Sequence, residues 1–267
     1  MKILVPLDFS DNSKKALDFA VSLVSKKSGE IIVLHVIEAV YDFAAQAAIV
    51  IEGMHRDAES YFQKLINSYD RTGIKFDFII KDGTVAIMTS KTAKEINADL
   101  LVIGAHDSVE LNFSFLGRTS TDIIKSSDKP VLLVPGDAEV KNIEKVTLAL
   151  EFSDHEEPFI EWIIRVGQVW GLKLEFLHIV IQEHFNEKLM MLGLEAYVQK
   201  KNPELETKLE TIHSDNLMKG LDEYLSKNEN TILVMCHHHK NFWEEILTRS
   251  KSIQMANHTH VPLLIMN

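Results

Sequence analysis

"ILVPLDFSD", Ile3–Asp11, decides the fold because the chain writes it twice: "VTLALEFSD" stands at Val146–Asp154. A repeat of this kind outranks any local reading, since it fixes how many folding units there are. "IIVLHVI" at Ile31–Ile37 returns as "LEFLHIV" at Leu174–Val180, so Asp8 recurs as Glu151 and His35 as His178, both 143 positions on. Further along the spacing changes. "NADLLVIG" at Asn97–Gly104 matches "NTILVMC" at Asn230–Cys236, and "KPVLLVP" at Lys129–Pro135 matches "HVPLLIMN" at His260–Asn267, both 132 positions on. Four matches in one order at two consistent offsets describe a duplicated unit whose second copy is shorter between its second and fourth strands. The joint falls in "PGDAEVKN", Pro135–Asn142, which has turn chemistry and few apolar residues. The expected units are 1–137 and 143–267.

Within each unit strands and helices alternate. Ile3–Leu7 is a short apolar run, the pattern of a strand buried on both faces. Ala16, Leu17, Ala20, Val21 and Val24 then fall on one face of a helix, with Ser10 or Asp11 as its N-cap and Gly29 as its stop. The first unit continues with a strand at Glu30–Ile37, a helix near Gly53–Tyr69 and a strand at Lys75–Lys81. A helix at Thr84–Ile96 follows, then strands Leu100–Gly104 and Val131–Val134 around a helix near Thr119–Ser126. This βαβαβαβαβ order predicts an α/β protein of two tandem Rossmann-like units. Each is a five-stranded parallel sheet with helices on both faces. Ligands of such sheets sit beyond the carboxyl ends of the strands, where the winding reverses. The ends of the first, second and fourth strands share that edge.

The totals bound the rest. The 267 residues suffice for two domains, and 46% hydrophobic with 25% charged residues is ordinary for a soluble protein. No apolar run approaches the ~18 residues of a membrane span, and Asp8 comes too early for a secretory signal. Net charge is −11 with scattered Lys and Arg, which argues against nucleic-acid binding. One cysteine, Cys236, excludes an intrachain disulfide and suits the cytoplasm.

"VPLDFSDNSKKAL", "VLHVIE", "DLLVIGAH" and "FLGRTSTDIIKSSDKPVLLVP" together resemble the universal stress protein family, here in tandem form. The resemblance implies cytoplasmic stress-related roles, and binding of ATP or AMP in some members but not others. It also implies dimer-like pairing: an intramolecular pseudo-dimer through the last strands, Val131–Val134 and Leu263–Met266, with a homodimer also open. Carried over, it makes Asp8 a partner of the adenine or ribose edge and puts Pro6 and Val36 beside the base. Gly104 opens the phosphate turn, and Gly117 and Thr119 offer N–H groups at a helix N-terminus. Two positions depart from the binders' G-x2-G-x9-G-[ST] loop: Asp107 replaces its second glycine, and Arg118 stands where a small hydroxyl residue belongs.

Glycine at such a turn permits close approach to an anion. A carboxylate ~5 Å from a phosphate, at an effective dielectric near 20, costs about 3 kcal/mol, on the order of a hundredfold in affinity. Arg118 offsets this if it bonds phosphate, as does Mg²⁺ bridging Asp107 to it; alternatively Arg118 pairs with Asp107 and closes the site. The second unit departs further. Glu151 and Ala149 replace Asp8 and Pro6, and Cys236–Ser252 has no glycine but carries Phe242 and Trp243.

Other features have two readings each. "CHHH", Cys236–His239, carries zinc-ligand chemistry or is a polar loop; "HTH" at His258–His260 belongs to the other end of the sheet. His35 and His178 read as core residues bonded to backbone. Ala39–Met54 is either an apolar flap facing a protein or apolar ligand, or the start of the next helix. Phe185–Lys201 is a Met-rich helix that packs on its own sheet or meets a partner. No Ser–His–Asp order, P-loop or paired-carboxylate pattern is present. The expected function is a non-enzymatic stress-response protein acting through ligand or protein binding. The alternative is an ATP- or AMP-binding regulator working through the first unit, with weak ATPase activity a distant third.

Overall fold

The computed structural model describes residues 1–24, 29–38, 44–69, 74–105, 118–138, 142–152, 156–236 and 261–266. The chain divides into two units between Gly136 and Asp137.

In the first unit, β1 (Lys2–Pro6) leads to α1 (Asp11–Val24), β2 (Glu30–Ile37), α2 (Ala44–Tyr69), β3 (Lys75–Asp82), α3 (Val85–Glu95), β4 (Leu100–Gly104), α4 (Arg118–Ser126) and β5 (Val131–Val134). The strands lie in the order β3-β2-β1-β4-β5, all parallel, so the winding reverses between β1 and β4. Every residue of β5 and the first four of β4 are buried, as expected for strands covered on both faces. Burying each such Leu or Val contributes roughly 1.5–3 kcal/mol. The outer strand β3 is half-buried along most of its length. Ser10 caps α1: its Oγ accepts from the Ser13 amide at 3.2 Å.

The second unit repeats the plan with β6 (Lys145–Leu150), α5 (Glu157–Trp170), β7 (Lys173–Val180), α6 (Phe185–Lys201), β8 (Thr207–His213), α7 (Leu217–Leu225), β9 (Thr231–Cys236) and β10 (Leu263–Met266). Its order is β8-β7-β6-β9-β10. The registers repeat too. Ile3 sits opposite Leu100 and Val146 opposite Ile232; Leu4 sits opposite Ile32 and Thr147 opposite Glu175. Both offsets read from the sequence are therefore also offsets in space.

Two helices differ from expectation. α2 begins at Ala44, nine residues before Gly53, so Ala44–Met54 is helix rather than a separate flap. Its alanine-rich start favours helix without an apolar stripe to announce it. Ile49, Val50 and Met54 are exposed, and Ala39–Phe43 lie outside the described residues. α6 spans the expected Phe185–Lys201, but only Leu194 and Val198 are buried. Phe185, Leu189, Met190 and Leu192 in its first half are exposed, so only the second half packs as expected.

Beneath the second sheet lies a polar network with no counterpart among the described residues of the first. Lys145 Nζ meets Glu175 Oε2 at 2.5 Å and Asn228 Oδ1 at 2.6 Å. The Tyr224 hydroxyl donates to Glu175 at 2.9 Å, and Thr147 Oγ1 lies 2.7 Å from both Tyr224 OH and Thr231 Oγ1. The first unit has Leu4 and Ile32 where Thr147 and Glu175 stand, and both are buried.

Candidate functional site

In the first unit the strand ends enclose a cavity of about 430 Å³, within the range of small-molecule sites. Pro6, Asp8, Val36, Gly104 and Thr119 all line it, as do Ser10, Asn12, Ser13, Glu38 and Ser120, which the motif did not single out. Asp107 and Gly117 lie outside the described residues. Arg118 is the first residue of α4.

Asp8 is fixed by its own turn. Ser10 donates to Asp8 Oδ1 twice, from its amide at 3.0 Å and its hydroxyl at 2.5 Å, an Asx-type turn. Burial alone would raise the carboxyl's pKa, but hydrogen bonds from Ser10 and Ser13 outweigh it and hold the group below the ordinary value. Asp8 is thus an ionised acceptor at neutral pH. Glu38 Oε1 accepts from the Val85 amide at 3.0 Å, at the start of α3. The turn after β1 also carries strain: Phe9 has φ 68° and its repeat partner Phe152 has φ 59°. A left-handed phenylalanine costs on the order of 1–3 kcal/mol. Each ring lies against the histidine of the next strand, Phe9 to His35 at 4.4 Å and Phe152 to His178 at 4.8 Å between centroids. Each histidine in turn donates Nδ1–H to a backbone carbonyl, His35 to Leu7 at 2.8 Å and His178 to Leu150 at 3.0 Å. Both are bonded to backbone as expected, and both rings also line the cavities at the strand ends.

Gly104 has a different reason to be glycine from the one the motif suggests. A Cβ there would lie 2.6 Å from the Asn12 carbonyl oxygen and 3.1 Å from the Ser13 amide nitrogen. Its missing side chain lets the first turn of α1 reach β4, and its φ is not in the left-handed region.

The second unit has a cavity of about 420 Å³ at the same strand ends. Its lining follows the repeat: Ala149 for Pro6, Glu151 for Asp8, His178 for His35, Ile179 for Val36 and Cys236 for Gly104. Glu156 takes the place of Ser13 and is buried, its Oε1 accepting from the Glu151 amide at 2.9 Å. Glu187 and His184 join from the start of α6. Burial, followed by the charges of Glu156 and Glu151, pushes the Cys236 thiol well above its ordinary pKa. His237, His238 and His239 lie outside the described residues, and among those described no three His, Cys, Asp or Glu side chains could hold a metal.

A doubled Rossmann-like unit with a cavity at each switch point defines a class of small-ligand α/β proteins. The chain matches the Universal stress protein family over residues 1–135, and it belongs to that family. Universal stress protein YxiE of Bacillus subtilis is 31% identical over 144 residues, covering 50% of this chain and 97% of the relative. Universal stress protein MJ0577 of Methanocaldococcus jannaschii is 28% identical over 151 residues, covering 50% and 93%. A universal stress protein from Archaeoglobus fulgidus shares the fold over 99% of this chain and 97% of its own, with TM-score 0.77 at 19% identity. Among the described residues no helix is long and apolar enough to cross a membrane.

Proposed function

We propose that this chain is a non-catalytic, cytoplasmic stress-response protein whose first unit binds an adenine nucleotide, ATP or AMP. The observation that carries this reading is the convergence of Pro6, Asp8, Val36, Gly104 and Thr119 on one cavity of about 430 Å³. In this reading Pro6 and Val36 flank the base, and ionised Asp8 accepts from a ribose hydroxyl. The N-terminus of α4, with Thr119 and Ser120, faces the phosphates. Arg118 heads that helix and supplies the cation that the loop's Asp107 calls for. Bound Mg²⁺ would supply charge neutralisation between phosphate and the carboxylates. Against catalysis stands the commitment of the described lining groups: the Ser10 hydroxyl, though bonded to Asp8, also caps α1 by accepting from the Ser13 amide, and His35 is held by the Leu7 carbonyl and packed against Phe9.

Calorimetric titration with ATP and AMP, with and without Mg²⁺, tests the reading. The expected result is a micromolar response abolished by Asp8→Ala. No response at millimolar nucleotide would overturn it and leave a protein-binding scaffold. Phosphate release should match a boiled control; release lost with Asp8→Ala would make the chain an ATPase.

A further inference from the structure

Two stripes run along opposite sides of α6. Glu187, Met191, Leu194 and Val198 follow i, i+4, i+7, i+11 spacing and turn toward the unit's own body, where Leu194 and Val198 are buried and the other two half-buried. Phe185, Leu189, Leu192 and Ala196 repeat that spacing on the far side. All four are exposed, Phe185 by 74% and Leu192 by 66%. An apolar stripe with steps of four, three and four is the seam of a two-helix pair. Gly193 sits beside it. A Cβ there would meet nothing within 4 Å, so the unit's own packing does not call for glycine, and glycine in mid-helix is unfavourable beside alanine. Next to a seam it lets a second backbone come close.

We propose that this face pairs with the same face of a second copy of the chain, the two α6 helices running antiparallel. Turning one helix end for end about the seam's centre places Phe185 opposite Ala196, Leu189 opposite Leu192 and Lys188 opposite Glu195 of the other copy. Large meets small and cation meets anion, twice over by the two-fold axis. Lys188 and Glu195 are both exposed and share one flank of the seam. Lys188 already bonds Glu183 at 2.7 Å, but both side chains are more than half exposed and such a pair holds weakly. The net charge of −11 opposes pairing at long range, which salt near physiological strength screens beyond about 8 Å. A seam of about three turns is small beside the ~1,200 Å² of a standard interface, so the dimer dissociates on the order of 10–100 µM.

Sedimentation velocity on the full-length chain, in physiological salt from about 1 to about 500 µM, tests this. A monomer–dimer equilibrium is expected across that range. Leu189→Asp, at a position 51% exposed, should weaken it at least about tenfold while leaving the urea midpoint unchanged. Lys188→Glu alone and Glu195→Lys alone should each weaken it about three- to fivefold by opposing like charges, and the double swap should restore it. A monomer throughout, full dimerisation of Leu189→Asp, or a double swap no better than either single variant would overturn the proposal. So would a monomer that floats with phosphatidylcholine vesicles, which would make the face a membrane contact. Asp8→Ala should dimerise as the wild type does, so the outcome is independent of nucleotide binding in the first unit.

Discussion

The two cavities are built by equivalent strands in the same registers, yet their linings differ. In the first, the turn of α1 offers Ser10, Asn12 and Ser13, and bare Gly104 lets that turn close on β4. In the second, Glu156 replaces Ser13 and Cys236 replaces Gly104, so a carboxylate and a thiol fill the equivalent corner. The unchanged parts are the strained phenylalanine, its histidine and the backbone carbonyl that holds it. The two copies thus share what positions the strand ends and differ in what lines the cavities. The difference continues below the sheet, where, among the described residues, the Lys145–Glu175 pair of the second unit has no equally buried counterpart in the first.

That buried pair gives the largest expected effect. Lys145→Met removes the 2.5 Å partner of buried Glu175 and leaves only Lys208 at 3.4 Å, and should cost about 3 kcal/mol in urea unfolding. The repeat partner Lys2 makes a partly exposed pair with Glu30 at 3.5 Å, so Lys2→Met should cost less than about 1 kcal/mol. Similar losses at both positions would remove the distinction.

Next comes the packing of α1. Gly104→Val forces a side chain onto the Asn12 carbonyl and should cost about 2–4 kcal/mol by the same assay. Cys236→Ala should cost less than half as much, because the second unit already accommodates a Cβ there. A mild Gly104→Val would show that the close approach is not needed.

Acid should weaken the second unit through Glu175. Burial raises its pKa, but the hydrogen bonds from Lys145 and Tyr224 prevail and lower it below 4.5. A depressed carboxyl stabilises the fold above its unfolded pKa, and that stability is lost as pH falls through the folded value. The dependence should therefore steepen below about pH 4.5 and flatten in Glu175→Gln, read as urea midpoints across that range. An unchanged slope would argue against the ionised network. A smaller effect is expected from Tyr224→Phe, about 1–2 kcal/mol, since Thr147 and Glu175 each lose one bond but Lys145 stays.

Much of this was legible in the sequence. The repeat offsets marked two units and their strands, because a strand buried on both faces must be an unbroken apolar run and the copies share those runs; strand order and register came only with the fold. Glu30–Ile37, Leu100–Gly104 and Val131–Val134 agree with β2, β4 and β5 at both ends. The start of α2 was one of two open readings of Ala39–Met54, because "AAQAAIVI" has a single polar residue and periodicity has little to register. In the site, Pro6, Asp8, Val36, Gly104 and Thr119 were visible through the family motif. The motif could not show that Gly104 serves α1 packing, which depends on a backbone distance between segments 92 positions apart in sequence. Glu187 was equally hidden. Only the fold brings Glu187, at the start of α6, within 3.4 Å of the histidine of β7.

The most direct measurement is the number of ATP molecules bound per chain in the wild type, Asp8→Ala and Glu151→Ala. The account predicts one, none and one. Two per chain in the wild type, or loss of binding in Glu151→Ala with Asp8→Ala unaffected, would contradict it.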